Sequence, residues 1–213
     1  MSVLNLLNNF RRLKGGIARQ WFSLYAQFLL AMHGATVGPN LKVRGRLDMY
    51  IHPLGTVNIG PDCRIKSGFA ENAVGGYRRM ALWVGPHAVL TIGSSVGMSN
   101  STIACANAIS IGDDVFIGGG CNIYDTDFHS IDIESRLSKP DIRVKTAPIT
   151  IGHRSFIGGH CTILKGVVIG EEAVVGAGSV VSRSIPSGEI WAGNPARFLK
   201  KIKNITVTVQ CNI

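Results

Sequence analysis

The chain has 213 residues, of which 26 are glycine, with 16% charged and 7% aromatic residues. That length holds one substantial core, and the glycine-rich, charge-poor mix favours a glycine-punctuated β repeat over a helix bundle. A formal net charge of +9 admits acidic partners such as phosphates or a membrane surface, but no RNA- or DNA-binding motif occurs, so nucleic acid is not expected as a partner.

Residues 1–33 differ from everything after them. Val3, Leu6, Leu7, Phe10 and Leu13 recur at helical spacing, and Ile17, Trp21, Leu24, Tyr25, Phe28, Leu29 and Met32 do so after Gly15 and Gly16. Arg11, Arg12, Lys14 and Arg19 make this segment basic. It predicts a helical arm. Two placements stay open: on an anionic membrane surface, or packed on the end of the following domain or a neighbouring subunit. The early basic residues also interrupt any secretory leader.

Residues 34–189 carry a different punctuation. Val37-Gly38, Ile59-Gly60, Val84-Gly85 and Ile92-Gly93 each read as a corner, with a loop excursion over 66–82. From Ile149 the rhythm is unbroken: Ile151, Ile157, Ile163, Ile169, Val175 and Val181 fall on every sixth residue. Two residues before them stand Ile149, Ser155, Cys161, Val167, Ala173 and Ser179. A period of six describes a chain that turns a corner every six residues and buries one residue per corner. Three such faces make a triangular coil whose rungs stack in parallel, roughly 4.8 Å apart.

Between Ile123 and Ile151 the rhythm breaks, so residues 124–148 form a second excursion from the coil. Long loops thrown out of a rigid stack commonly carry function. This one contains Asp125, Asp127, His129 and Glu134. After Val181 the repeat ends near Ile185-Pro186, and residues 190–213 form a basic tail with a short helix and a strand, the strand at residues 205–209. Cys63, Cys105, Cys121, Cys161 and Cys211 are odd in number and form no CxxC pair. They read as buried thiols of a reducing, cytoplasmic compartment, neither bridges nor metal ligands.

The repeats, the loop text Asp125-Thr126-Asp127-Phe128-His129 and the closing Ala192-Gly193-Asn194-Pro195-Ala196-Arg197 together resemble the hexapeptide-repeat acyltransferases, most closely the sugar O-acetyltransferase branch. The resemblance covers residues 37 to about 203. It implies an all-β fold, a left-handed parallel β-helix, assembled as a homotrimer. It also implies acetyl-CoA as acyl donor, held in the groove between neighbouring β-helices, and a saccharide or glycan acceptor.

Acetyl transfer to an alcohol needs the hydroxyl proton removed as the oxygen attacks the thioester, and imidazole suits that task at neutral pH. His129 matches the family's catalytic histidine. Asp125, Asp127 and Glu134 are candidates to orient its ring or to bind sugar hydroxyls. Ser99 and Asn100 sit where the family often places acceptor-binding groups. For the CoA nucleotide, the terminal basic cluster offers Arg197 and Lys200. Lys165 is expected to project from a turn towards pantetheine or phosphate. Gly158, Gly176 and Ala177 offer low walls for a pantetheine arm, and Trp191 borders the adenine or caps the last coil. A zinc carbonic anhydrase on the same coil would need three histidine ligands; His153 and His160 are seven apart, against five in that family, and no metal is expected. The acceptor group is a hydroxyl or, alternatively, the amine of an amino-sugar nucleotide.

Overall fold

A computed structural model describes residue 16 and residues 20–202. Twenty strands among them form three sheets, and the parallel strands of each sheet recur at every third position in the chain, except that the last parallel strand of the second sheet, the one begun by Lys42–Arg44, follows its neighbour by two. Ile151 lies opposite Ile169, Ile157 opposite Val175 and Ile163 opposite Val181, eighteen residues apart in each case. The coil is therefore triangular, and it winds left-handed as in the structures it resembles.

All six residues of the regular run, and the six that precede them by two, are buried. Strand alternation explains the pairing: Ile149 and Ile151 point inward while Thr150 between them points out. Each inward Ile or Val contributes about 1.5–3 kcal/mol relative to exposure. The small inward residues are satisfied by backbone. Ser155 Oγ donates to Gly170 O at 2.9 Å, and the Cys121 and Cys161 thiols donate to Gly158 O and Gly176 O at 3.1 Å each. Cys63 and Cys105 are likewise free and buried.

The corner glycines answer to the coil above them. A Cβ on Gly152 would lie 2.6 Å from the backbone nitrogen of Glu171 in the next coil, so only glycine permits that stacking distance. The left-handed residue of the same corner falls two places later, at Arg154 (φ 58°).

Two segments leave the coil. One runs between the strands Arg64–Lys66 and Ala81–Val84, the other between Asn122–Tyr124 and Ile149–Ile151. Across the second, Ile111 pairs with Ile151, forty residues on, and the coil resumes in register.

The two ends depart from expectation. The repeat does not stop at Ile185-Pro186. Ile185 bridges to Ile169 and Trp191 pairs with Val175, each sixteen residues on instead of eighteen. One corner is two residues short, and the beat of six then returns between Ile185 and Trp191. The following segment is not helical: Glu189–Gly193 completes the second sheet, and Ala196–Lys201 folds back on it antiparallel. At the other end, residues 20–32 form a helix. Ala26 and Leu30 enter the core, and Ser23 both accepts from Val43 N (3.0 Å) and donates to Val43 O (3.1 Å). The helix thus covers the open edge of the first coil, where unpaired backbone would otherwise invite another strand. Among the described residues no helix is long and apolar enough to cross a membrane. The expected helical pattern and charges of residues 1–15 and 17–19, the strand at 205–209 and Cys211 lie outside the described residues.

Candidate active site

The second excursion is a braced platform. Asp127 N donates to Lys145 O (3.0 Å), Ala147 N donates to Asp125 O (2.9 Å), and Thr126 bridges Thr146 antiparallel, so the loop leaves and re-enters through one narrow neck. Asp132 caps the short helix Ile133–Leu137, accepting from Ser135 N at 2.8 Å. His129 stands at the tip of a tight turn. Its N–H donates to Asp127 O at 2.7 Å across Phe128, whose φ of 63° is strained for a bulky side chain. The Phe128 ring meets Tyr124 edge-on at 5.1 Å, which holds the turn against the coil.

His129 is 73% exposed, and its Nδ1 lies 2.9 Å from Oδ2 of Asp141, which is 19% exposed. Asp141 also accepts from Ser130 N. With Nδ1–H donated to that carboxylate, Nε2 presents its lone pair outward. The pairing has the chemistry of a general base: one nitrogen held by an acceptor, the other open to a substrate proton.

Asp141 was not among the orienting candidates, and those candidates have other places. Asp125 is fully buried. Its two carboxylate oxygens accept from Ala106 N (2.6 Å) and Asn107 N (2.8 Å) in the coil below, so it ties down the neck and cannot reach a substrate. Glu134 is exposed in the first turn of the short helix, where a negative charge suits the helix dipole. Asp127 pairs with Lys165 at 2.6 Å through Oδ1, and its Oδ2 is buried with no hydrogen bond among the described residues. Lys165 is therefore held at the loop, two residues from His129, and is not free to meet a cofactor phosphate.

Asn100 is also committed. Its Oδ1 accepts from Gly68 N (2.7 Å), and its amide donates to Asn72 O (2.6 Å) and Val74 O (3.1 Å), tethering the first excursion instead of binding a sugar. Ser99 is partly exposed on the second sheet beside a groove. Gly158 does not form an open wall: a Cβ there would meet Ala177 N at 2.6 Å. Its neighbour Gly159 is covered by Val74 of the first excursion. Gly176 is packed against Ala192, while Ala177 is exposed. Trp191 is a rung of the final coil; it donates to Glu189 Oε2 at 2.8 Å and meets Phe198 edge-on. Arg197 and Lys200 project into solvent from the last strand. Among the described residues no cluster of three or more His, Cys, Asp or Glu could hold a metal.

The family model described as the hexapeptide repeat of succinyl-transferase matches residues 108–135 and 148–183. The galactoside O-acetyltransferase of Escherichia coli is 32% identical over 180 residues, spanning 78% of this chain and 81% of its own. The chain belongs to the hexapeptide-repeat acetyltransferases. A Saccharomyces cerevisiae member, YJL218W, is 40% identical over 111 residues, and there the chain spans about half (55%) of the relative's length. Among solved structures, the N-acyltransferase AntD of Bacillus cereus, in complex with dTDP and 3-hydroxybutyryl-CoA, superposes with a TM-score of 0.64 at 25% identity. That match covers 83% of this chain and 88% of AntD.

Against that family background the residue missed by sequence reasoning is Asp141. The signal was available: it is a carboxylate of the same excursion, twelve residues after His129. Asp125, Asp127 and Glu134 all lie within five residues of His129, whereas the neck brings the far side of the loop back over it.

Proposed function

We propose that this hexapeptide-repeat acetyltransferase moves the acetyl group of acetyl-CoA to a sugar hydroxyl of a saccharide or glycan precursor. The observation that carries this reading is the His129–Asp141 pair, 2.9 Å apart on an exposed loop with Nε2 free. In the reaction Nε2 takes the hydroxyl proton as the oxygen attacks the thioester carbonyl. Asp141 stabilises the imidazolium that forms. The tetrahedral adduct collapses, expelling the CoA thiolate, and His129 returns the proton to that sulfur. A backbone N–H would serve the oxyanion. We assign Asp127, two residues before His129 in the same turn, to the acceptor side. Its unsatisfied buried oxygen, costing about 1–3 kcal/mol if left unpaired, supports a partner supplied by substrate or by a neighbouring subunit.

On this reading the CoA nucleotide rests near Arg197 and Lys200, and Arg197→Ala raises the acetyl-CoA KM; an unchanged KM removes Arg197 from the site. On this reading the working form is a cytoplasmic homotrimer. Light scattering in solution tests the trimer. The decisive experiment is CoA release from acetyl-CoA with a panel of saccharides, read by mass spectrometry. His129→Ala should lose at least ~100-fold, and full activity in that variant would refute the mechanism.

A second reading is favoured by the likeness to AntD, an N-acyltransferase solved with dTDP: the acceptor group would be the amine of an amino-sugar nucleotide. Paired hydroxyl and amine acceptors in the same assay separate the two.

A further inference from the structure

The two excursions border one face of the coil. The first leaves the second sheet after Arg64–Lys66 and enters the third at Ala81–Val84, and the second leaves the third sheet after Asn122–Tyr124. The third sheet therefore lies between them. Its successive strands Asp48–Ile51, Ala81–Val84, Thr102–Cys105 and Asn122–Tyr124 set Tyr50, Trp83, Ala104 and Tyr124 in register, one per rung. Met49, Leu82, Ile103 and Ile123, one residue earlier, pack inward, so this column points out. The coil itself does not call for rings outside: a corresponding column of the first sheet is Asn58, Thr91, Ser110 and Thr150.

The column is aromatic and open. Tyr50 is 56% exposed and Trp83 37%, and their rings are nearly parallel (12°) with centres 6.2 Å apart, so they overlap only in part. At the other end Tyr124 meets Phe128 edge-on, and His129 is the next residue, so the column runs up to the candidate base. From Tyr124 to Tyr50 is three strand spacings, about 14 Å, which is longer than one pyranose ring. The neighbouring outward column holds Asp48 and Asn122, and there the first excursion brings in cations. Arg78 donates to Asn122 Oδ1 at 3.0 Å, and Arg79 lies 3.5 Å from Asp48, which Arg46 also approaches at 3.7 Å. Arg46, Arg78 and Arg79 thus share this edge with the Asp48 carboxylate. Contiguous exposed apolar surface marks a contact site. Pyranose rings present apolar C–H faces that lie on aromatic rings, and their carboxylates, in uronic acids, suit arginine.

We propose that Tyr50, Trp83 and Tyr124 form a platform for an acidic oligosaccharide acceptor, several sugars long, whose uronate carboxylates meet Arg78 and Arg79 while its reacting end reaches His129. This rests on the transferase reading above and specifies the length and charge of the acceptor. An acceptor of that length is already joined sugar to sugar, so the reaction that supplies it is glycosyl transfer, and acetylation follows assembly of the chain.

The test is calorimetric binding of oligogalacturonates, from monomer to hexamer, to the full chain with CoA at saturation. Maltooligosaccharides of the same lengths form the uncharged arm. Affinity should rise with length, the tetramer binding at least ~10-fold tighter than the monomer. Uronates should bind better than neutral chains of equal length, by a margin that shrinks as salt rises. Trp83→Ala should lose the gain from length, and Trp83→Phe, which keeps a ring, should recover most of it. Arg78→Gln/Arg79→Gln should lose the preference for uronates and keep the gain from length. Four results overturn the platform: no binding by wild type, equal affinity at every length, an undiminished gain from length in Trp83→Ala, or no preference for uronates. Light scattering tests the rival occupant, a second copy of this chain. A lowered molar mass in Trp83→Ala, with no glycan binding by wild type, makes this face a subunit contact and also overturns the proposal. CoA release with monosaccharides as fast as with oligomers would sink the platform and leave the transferase reading intact. Length-dependent binding with no CoA release from any saccharide would sink the transferase reading and leave the platform standing.

Discussion

Replacing Asp141 by Asn keeps an acceptor oxygen for Ser130 N and for the His129 ring but removes the charge that the imidazolium would face at 2.9 Å. A unit pair with charge centres about 4 Å apart is worth about 1 kcal/mol in bulk water and about 4 kcal/mol near a protein surface. His129 is 73% exposed and Asp141 only 19%, so an intermediate value of about 2 kcal/mol applies. That is roughly a 30-fold loss of kcat, within the ten- to hundred-fold range typical of groups that orient an active residue. Because Asp141 acts through His129, its effect should be confined to kcat, with the acetyl-CoA KM within about threefold of wild type. Steady-state CoA release measures both. The sharper assay is the double-mutant cycle. In a His129→Ala background Asp141→Asn should cost nothing further, since the group it steadies is gone. A full 30-fold loss in that background, or wild-type kcat in the single variant, would refute the pairing as the source of the base.

Three further outcomes follow from the structure. Lys165→Met strands the Asp127 carboxylate, about a quarter exposed, and should cost about 1–2 kcal/mol after allowance for solvent. Adding Asp127→Asn should recover most of that in urea unfolding, and no recovery would deny that the pair braces the loop. Ile157→Asp places a charge at a fully buried rung position and should abolish cooperative unfolding; a soluble variant with an unchanged melting temperature would contradict the coil assignment. Burial, reinforced by nearby Asp125, pushes the Cys105 thiol up from 9.0 to about 12. The unfolded chain therefore ionises first, and this residue removes stability as pH rises from 9 towards 12. At pH 10 the loss is about 1.4 kcal/mol. Cys105→Ala should lose that much less between pH 8 and pH 10, and parallel pH dependence of the two proteins would discount the thiol.

The coil was legible because it obeys a local rule. Each corner needs one inward aliphatic residue and a backbone that admits the next coil, so Ile151 to Val181 reports the architecture residue by residue. The rule does not announce itself where one corner is two residues short, between Val181 and Ile185, so the final rung at Trp191 lies beyond the last regular beat. The excursion was visible only as an interruption, and an interruption says where a loop begins without saying what folds back on it. Asp125 shows what period two could still have supplied. Ile123 points in, Tyr124 is half out, and Asp125 continues the alternation inward, so it belonged to the core side of the neck from the start. Asp141 had no such periodic marker. Its place depends on residues 125–127 pairing with 145–147, a closure made by backbone hydrogen bonds that any side chains could accompany. Four cations of the second sheet are the reverse case. Lys42, Arg44, Arg64 and Lys66 look scattered along the chain, and only the twenty-two-residue register of the first coils stacks them two by two on one face. Repetition thus reveals the scaffold, while the candidate site groups are assembled by the departures from it and by the stacking that brings distant residues into register.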